Sequence, residues 1–178
     1  MDKAGEYYNK AWNYNKEKNY QQAYIHFTIA AEMGHADAQN FLGTYYLNGY
    51  GVEEDEAAAV EWFQKAAGQN NMFGNYNLGR CYQYGWGVEK DPQTSLRFYL
   101  LAAEQGHAGA QNEAGRCYLN GWGHEKDHVK AAEWFRKAAA QNNIHACYNL
   151  GLCYQNGWGV EKDSQKTFQY YLRSAELG

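Results

Sequence analysis

His124-Glu125-Lys126-Asp127-His128 reads H-E-x-x-H, the pattern in which two imidazoles share one zinc ion and the glutamate acts as a base. That chemistry needs a continuous helix beneath it, because only there do residues i and i+4 project to the same side. The segment aligns with Val88-Glu89-Lys90-Asp91-Pro92, whose Asp-Pro order marks the start of a helix. The two histidines are therefore expected to straddle a turn and a helix start, with Asp127 needed as the cap. The four cysteines, Cys81, Cys117, Cys147 and Cys153, lack C-x-x-C metal spacing and are expected to be buried free thiols. No Ser-x-x-Lys, G-x-S-x-G or phosphate-cradling glycine loop occurs. Glu53-Glu54-Asp55-Glu56 resembles a solvated loop with a cap rather than an acid/base pair. No catalytic residue, metal or cofactor is expected, and a hydrolase stays as the alternative.

The elements that must carry these residues announce themselves by repetition. Gly43, Gly79, Gly115 and Gly151 recur at a 36-residue interval, as do Gly49, Gly85, Gly121 and Gly157, and Gly51, Gly87, Gly123 and Gly159. Tyr50, Trp86, Trp122 and Trp158 stand between the last two sets, and Asp55, Asp91, Asp127 and Asp163 follow. A fixed period of this length marks a stack of helix pairs. The Asp residues should cap the second helix of each pair. Gly34, Asn70, Gly106, Asn142 and Gly178 should close it in the left-handed conformation that Gly and Asn tolerate. Tyr46, Tyr82, Tyr118 and Tyr154 fall four residues after Leu42, Leu78, Ala114 and Leu150, so first helices carry one apolar face. Second helices combine aromatic pairs such as Trp62-Phe63 with small pairs such as Ala66-Ala67, which permit close helix packing. The unit 36–71 matches 108–143 better than its neighbour, and 72–107 matches 144–178, as copying of a two-repeat block would produce. That duplication leaves room for a purely structural or engineered array without a natural ligand.

A length of 178 residues, 45% hydrophobic and 17% aromatic, suits one folded domain spanning 1–178. A net charge of -4 supplies no basic surface for nucleic acid. The N-terminal Met1-Asp2-Lys3-Ala4-Gly5-Glu6 has no apolar run, and no window is long enough to span a membrane. A cytoplasmic location with reduced thiols is expected, a removed leader aside.

Residues 36–55 and their three later copies follow A-x-A-Q-x-x-L-G-x-x-Y-x-x-G-x-G-V-x-x-D nearly whole, and they resemble the Sel1-like repeat family, relatives of the tetratricopeptide repeat. The resemblance covers repeats 36–71, 72–107, 108–143 and 144–178. Residues 4–35 lack the G-x-G turn and resemble a tetratricopeptide repeat serving as an N-terminal cap. The fold so implied is all-α, a right-handed α-solenoid of stacked antiparallel helix pairs. Some relatives are secreted and disulfide-stapled, or linked to penicillin binding. This chain lacks the second cysteine of each stapled pair and any nucleophile constellation.

The resemblance also implies a function: a scaffold or adaptor binding a protein or peptide on the concave face, which first helices line. Register transfer places Tyr8, Trp12, Asn40, Tyr76, Arg80, Gln83, Asn112, Arg116, Tyr148 and Gln155 there, with Asn15, Thr44, Leu47, Leu119 and Leu152. Arg80 and Arg116 are expected about 10 Å apart, as on packed neighbouring helices. Two guanidinium forks so placed would suit an acidic or carboxylate-bearing segment. The final helix has no polar closing unit, so a homo-oligomer through it is a further expectation.

Overall fold

The computed structural model describes residues 2–178; Met1, part of the N-terminal stretch read above, lies outside them. Ten α-helices and no strand are present among the described residues. They are α1 (Lys3–Lys16), α2 (Tyr20–Glu32), α3 (Ala36–Asn48), α4 (Glu56–Gly68), α5 (Met72–Tyr84), α6 (Pro92–Glu104), α7 (Ala108–Asn120), α8 (His128–Ala140), α9 (Ile144–Asn156) and α10 (Ser164–Leu177). The chain divides into two compact units, one ending at Lys90 and one running from Asp91 to Gly178. In a stack where each element contacts only its neighbours, no single core spans the length, so a division inside a repeat costs nothing special.

In the first unit α1 packs on α2, α2 on α3, α3 on α4 and α4 on α5. Ala11, Ala23, Phe27, Ala30, Ala31, Ala38, Leu42 and Tyr45 form a buried cluster there, with Tyr8, Trp12 and Phe41 against its edge. In the second unit α6 packs on α7, α7 on α8, α8 on α9 and α9 on α10. Its buried residues include Ala110, Ala114, Ala131, Phe135, Ala138, Ala146 and Leu150.

The helix ends are where the sequence points. Asp55, Asp91, Asp127 and Asp163 each accept backbone N–H bonds at the start of a second helix, and Pro92 opens α6. First helices are capped alternately by His35, Asn71, His107 and Asn143. Gly34, Asn70, Gly106 and Asn142 adopt positive φ after second helices, as does Lys18 in the short α1–α2 turn.

The second glycine of each G-x-G turn is fixed by more than its conformation. Gly51 has φ +68, and a Cβ on it would lie 2.5 Å from the carbonyl oxygen of Tyr20, the first residue of α2. Gly87 meets Glu56, Gly123 meets Pro92 and Gly159 meets His128 in the same manner, each the first residue of the preceding second helix. The turn of one repeat thus sits directly on the helix start of the one before it, and only a residue without Cβ fits. Glu56 adds a side-chain bond, accepting from the Gly87 N–H at 2.9 Å.

Candidate functional site

In the second unit the start of α9 stands beside α7 and leaves an open cavity of about 380 Å³. It is lined by Asn112, Glu113 and Arg116 of α7, His145, Tyr148 and Asn149 of α9, and Ser174 of α10. Three residues placed on the first-helix face by register, Asn112, Arg116 and Tyr148, meet in it.

Their roles differ. Asn112 lines the cavity but is only 3% exposed, and its amide is engaged within the protein. Its carbonyl oxygen accepts from the Asn149 amide at 2.9 Å, and its own amide donates to Glu113 at 3.1 Å. Arg116 donates through Nη1 to both Glu113 carboxylate oxygens, at 2.9 and 3.3 Å, and its guanidinium lies 5.4 Å from the Trp122 ring centre. Tyr148 stacks on Tyr171 with ring centres 5.4 Å apart, yet remains 51% exposed. The floor is therefore a fixed polar network, and one aromatic face stands open above it.

The first unit repeats part of this. Asn40, 7% exposed, accepts from the Asn77 amide at 2.8 Å, so it too ties one first helix to the next. Tyr8 stacks on His35 at 4.5 Å, and Trp12 meets Phe41 edge-on at 5.2 Å, so both are half-buried packing groups. Arg80 lies 4.8 Å from the Trp86 ring centre and 5.9 Å from that of Tyr76, and no carboxylate pairs with it among the described residues. Tyr76 and Gln83 are half-buried on the same helix. Arg80 belongs to the first compact unit and Arg116 to the second. Gln155 lines a separate cavity of about 370 Å³ with Phe168 and Tyr171, where it accepts from the Tyr171 hydroxyl at 2.6 Å.

Glu113, His145, Asn149 and Ser174 escaped the sequence reading. Glu113 was detectable, since an acid three residues before Arg116 shares its helix face. The Asn40–Asn77 and Asn112–Asn149 pairs also leave a trace, an asparagine 37 residues after another, twice.

The remaining chemical candidates have structural neighbours. His124 lies in the turn, packed edge-on to Tyr118 at 5.1 Å, whereas His128 opens α8 and tilts against Trp158 at 6.0 Å. The continuous helix that H-E-x-x-H chemistry requires does not underlie both. The four cysteines are free and buried. Burial pushes the thiols of Cys81 and Cys117 up to about 12 and that of Cys153 to about 11, so thiolates are not populated near neutrality. No helix among the described residues is long and apolar enough to cross a membrane.

Helix pairs stacked through fixed turns define a repeat protein of the α-solenoid class. The Sel1 repeat model matches residues 3–35, 36–71, 73–107, 108–143 and 144–178, and the chain belongs to the Sel1 repeat family. That match extends to the first repeat, 3–35, which lacks the G-x-G turn and by its residues alone resembles a tetratricopeptide cap. No match is found among curated proteins. Among solved structures, the chain is similar to a protective antigen of uropathogenic Escherichia coli strains that displays an SLR fold, with TM-score 0.92 and 33% identity over 98% of this chain. It spans 38% of that antigen's length. A Sel1 repeat protein from Oxalobacter formigenes gives TM-score 0.88 and 35% identity over 96% of this chain and 70% of its own. Helicobacter pylori cysteine rich protein B gives TM-score 0.56 and 27% identity over 70% of this chain and 90% of its own.

Proposed function

We propose that the chain is a non-catalytic scaffold that binds a protein or peptide segment on the face formed by its first helices. Sel1-repeat proteins are generally protein-interaction scaffolds, and this is the class to which the chain belongs. The observation carrying the reading is the open cavity between α7 and α9, where the half-exposed Tyr148 stands over a fixed polar floor. A rigid aromatic group beside satisfied hydrogen-bonding groups is the composition of a binding hot spot. In the first unit, Arg80 between Tyr76 and Trp86 supplies a cation without an acid partner among the described residues, suited to a carboxylate-bearing segment. Tyr8, Trp12, Gln83 and Gln155 add accessible aromatic and amide edges, while Asn40 and Asn112 act by holding Asn77 and Asn149. The unpaired thiols suit a reducing compartment such as the cytoplasm.

An immobilised peptide array probed with the intact chain tests this. Selective retention that falls on the order of tenfold in Tyr148→Ala, typical of a hot-spot aromatic, supports the reading. Retention of no peptide, or identical retention by Tyr148→Ala and Arg80→Ala, sinks it.

A further inference from the structure

We infer that Glu113 sets the charge selectivity of the cavity between α7 and α9, making it a receptor for a neutral carboxamide rather than for a carboxylate. The inference rests on the peptide-binding reading above and names the chemistry that this cavity takes.

The charged side chains in the lining are Glu113 and Arg116, and they neutralise each other across 2.9 Å. The pair is partly enclosed, with side chains 15% and 36% exposed, so solvent screens it incompletely. Both bonds to Glu113 come from Arg116 Nη1, which leaves Nη2 and Nε without a protein acceptor among the described residues. The guanidinium therefore keeps hydrogen-bond donors to offer while its charge is already balanced. A carboxylate reaching those donors would stand close to the Glu113 carboxylate, and like charges so placed oppose each other. A carboxamide oxygen takes the same hydrogen bond without that penalty. Asn149 completes the match: one of its N–H groups is spent on Asn112, and its carbonyl oxygen, with no donor among the described residues, can accept from the ligand's NH₂.

Arg80 provides an internal contrast. It holds the register position of Arg116 one repeat earlier, yet the position three residues before it is Asn77, not an acid. Asn77 is occupied with Asn40 at 2.8 Å, and the Arg80 charge is not cancelled by any carboxylate among the described residues. The same register thus carries, among the described residues, a cation with ring contacts but no carboxylate in the first unit and a neutralised one in the second. The residue that makes the difference is Glu113.

The test uses the intact chain and peptides synthesised in matched forms, Gln or Asn against Glu or Asp at each position, and C-terminal amide against free carboxylate. Wild-type protein should retain the carboxamide forms on the order of tenfold better, the effect of one charged hydrogen bond gained without repulsion. Side-chain swaps and terminal swaps report separately, so they identify which carboxamide is read. Glu113→Gln keeps an oxygen to accept from Asn112 and should abolish or invert the preference; adding Arg116→Gln should remove the acid binding so gained. The inference is overturned if wild-type protein prefers acid forms, or if Glu113→Gln leaves the amide-to-acid ratio unchanged. Retention of no peptide in any form overturns the scaffold reading itself, and this inference with it.

Discussion

A glycine inside a helix costs about 1 kcal/mol against alanine, so a recurring helical glycine needs a reason in its surroundings. At Gly43, Gly115 and Gly151 the reason is an aromatic ring. A Cβ would lie 2.7 Å from Phe63, 2.6 Å from Phe135 and 2.7 Å from Tyr171. Gly68, at the end of α4, has nothing within 4 Å, and the matching residue in α8 is Ala140. At Gly115 a Cβ so close to three atoms of one buried ring belongs in the upper part of the overpacking range, about 2–3 kcal/mol. Gly115→Ala should therefore destabilise the chain by about 1–2 kcal/mol once about 1 kcal/mol of helix propensity is subtracted. Gly68→Ala should stabilise it by about 0.5–1 kcal/mol through propensity alone. Urea unfolding midpoints of the two variants should move in opposite directions, and a common direction would contradict the ring-on-glycine account. The cysteines offer a second check at this scale. With thiols pushed up to about 12, Cys81 and Cys117 should resist iodoacetamide at neutral pH in the native protein and react in urea, as read by mass spectrometry.

The helices are bounded by side chains whose protonation matters. His107 caps α7 by accepting the Ala110 N–H through Nδ1 at 3.0 Å, a bond that only the neutral ring can accept. Burial holds its pKa below the ordinary 6.5, so the unfolded chain binds the proton more readily. Its contribution is therefore complete above about 6.5 and is lost as pH falls through the lower folded value. Asn71 and Asn143 do the same task without titrating, so His107→Asn should flatten part of the decline in thermal midpoint between pH 7 and pH 5. An unchanged slope would remove His107 from that decline. Asp91, Asp127 and Asp163 act lower on the scale. Hydrogen bonds from Thr94, Lys130 and Lys166 respectively hold these carboxyls below the usual range, so their stabilisation persists until pH falls below about 4. The aspartate caps were legible because Asp91 precedes Pro92 and the repeat propagates that signal. The histidine caps were not, since histidine is an uncommon cap and alternates here with asparagine. Equally hidden were the glutamine relays. Gln39 donates to the Ala31 carbonyl at 3.1 Å and accepts from Gln69 at 2.8 Å, and Gln111 does likewise with Ala103 and Gln141. Such relays exist only once three helices are placed, and no local spacing encodes them.

Across the whole chain, periodicity disclosed the fold because each repeat solves the same packing problem with the same residues. The site was less legible for the opposite reason: it lies where the repeats differ. Register placed Asn112, Arg116 and Tyr148 on one face, but whether an amide at such a position faces solvent or ties two helices depends on the partner that α9 brings. Repetition also predicts where stability is lowest, since a helix held on both sides opens less readily than one held on one side. Within the second unit α8 packs against both α7 and α9, and it buries Ala131, Ala132, Phe135, Ala138 and Ala139. In that unit α10 packs on α9, buries no residue fully and leaves Phe168 67% exposed. Opening α10 exposes little apolar surface that is not already wet, whereas opening α8 exposes a row of buried alanines and a phenylalanine ring. Amide hydrogen exchange followed by mass spectrometry should therefore show peptides from 164–177 exchanging at least about tenfold faster than those from 128–140, a gap of roughly 1.4 kcal/mol in opening free energy. Equal protection of the two helices would mean that the unit opens only as a whole, and that coupling through α9 outweighs the difference in burial.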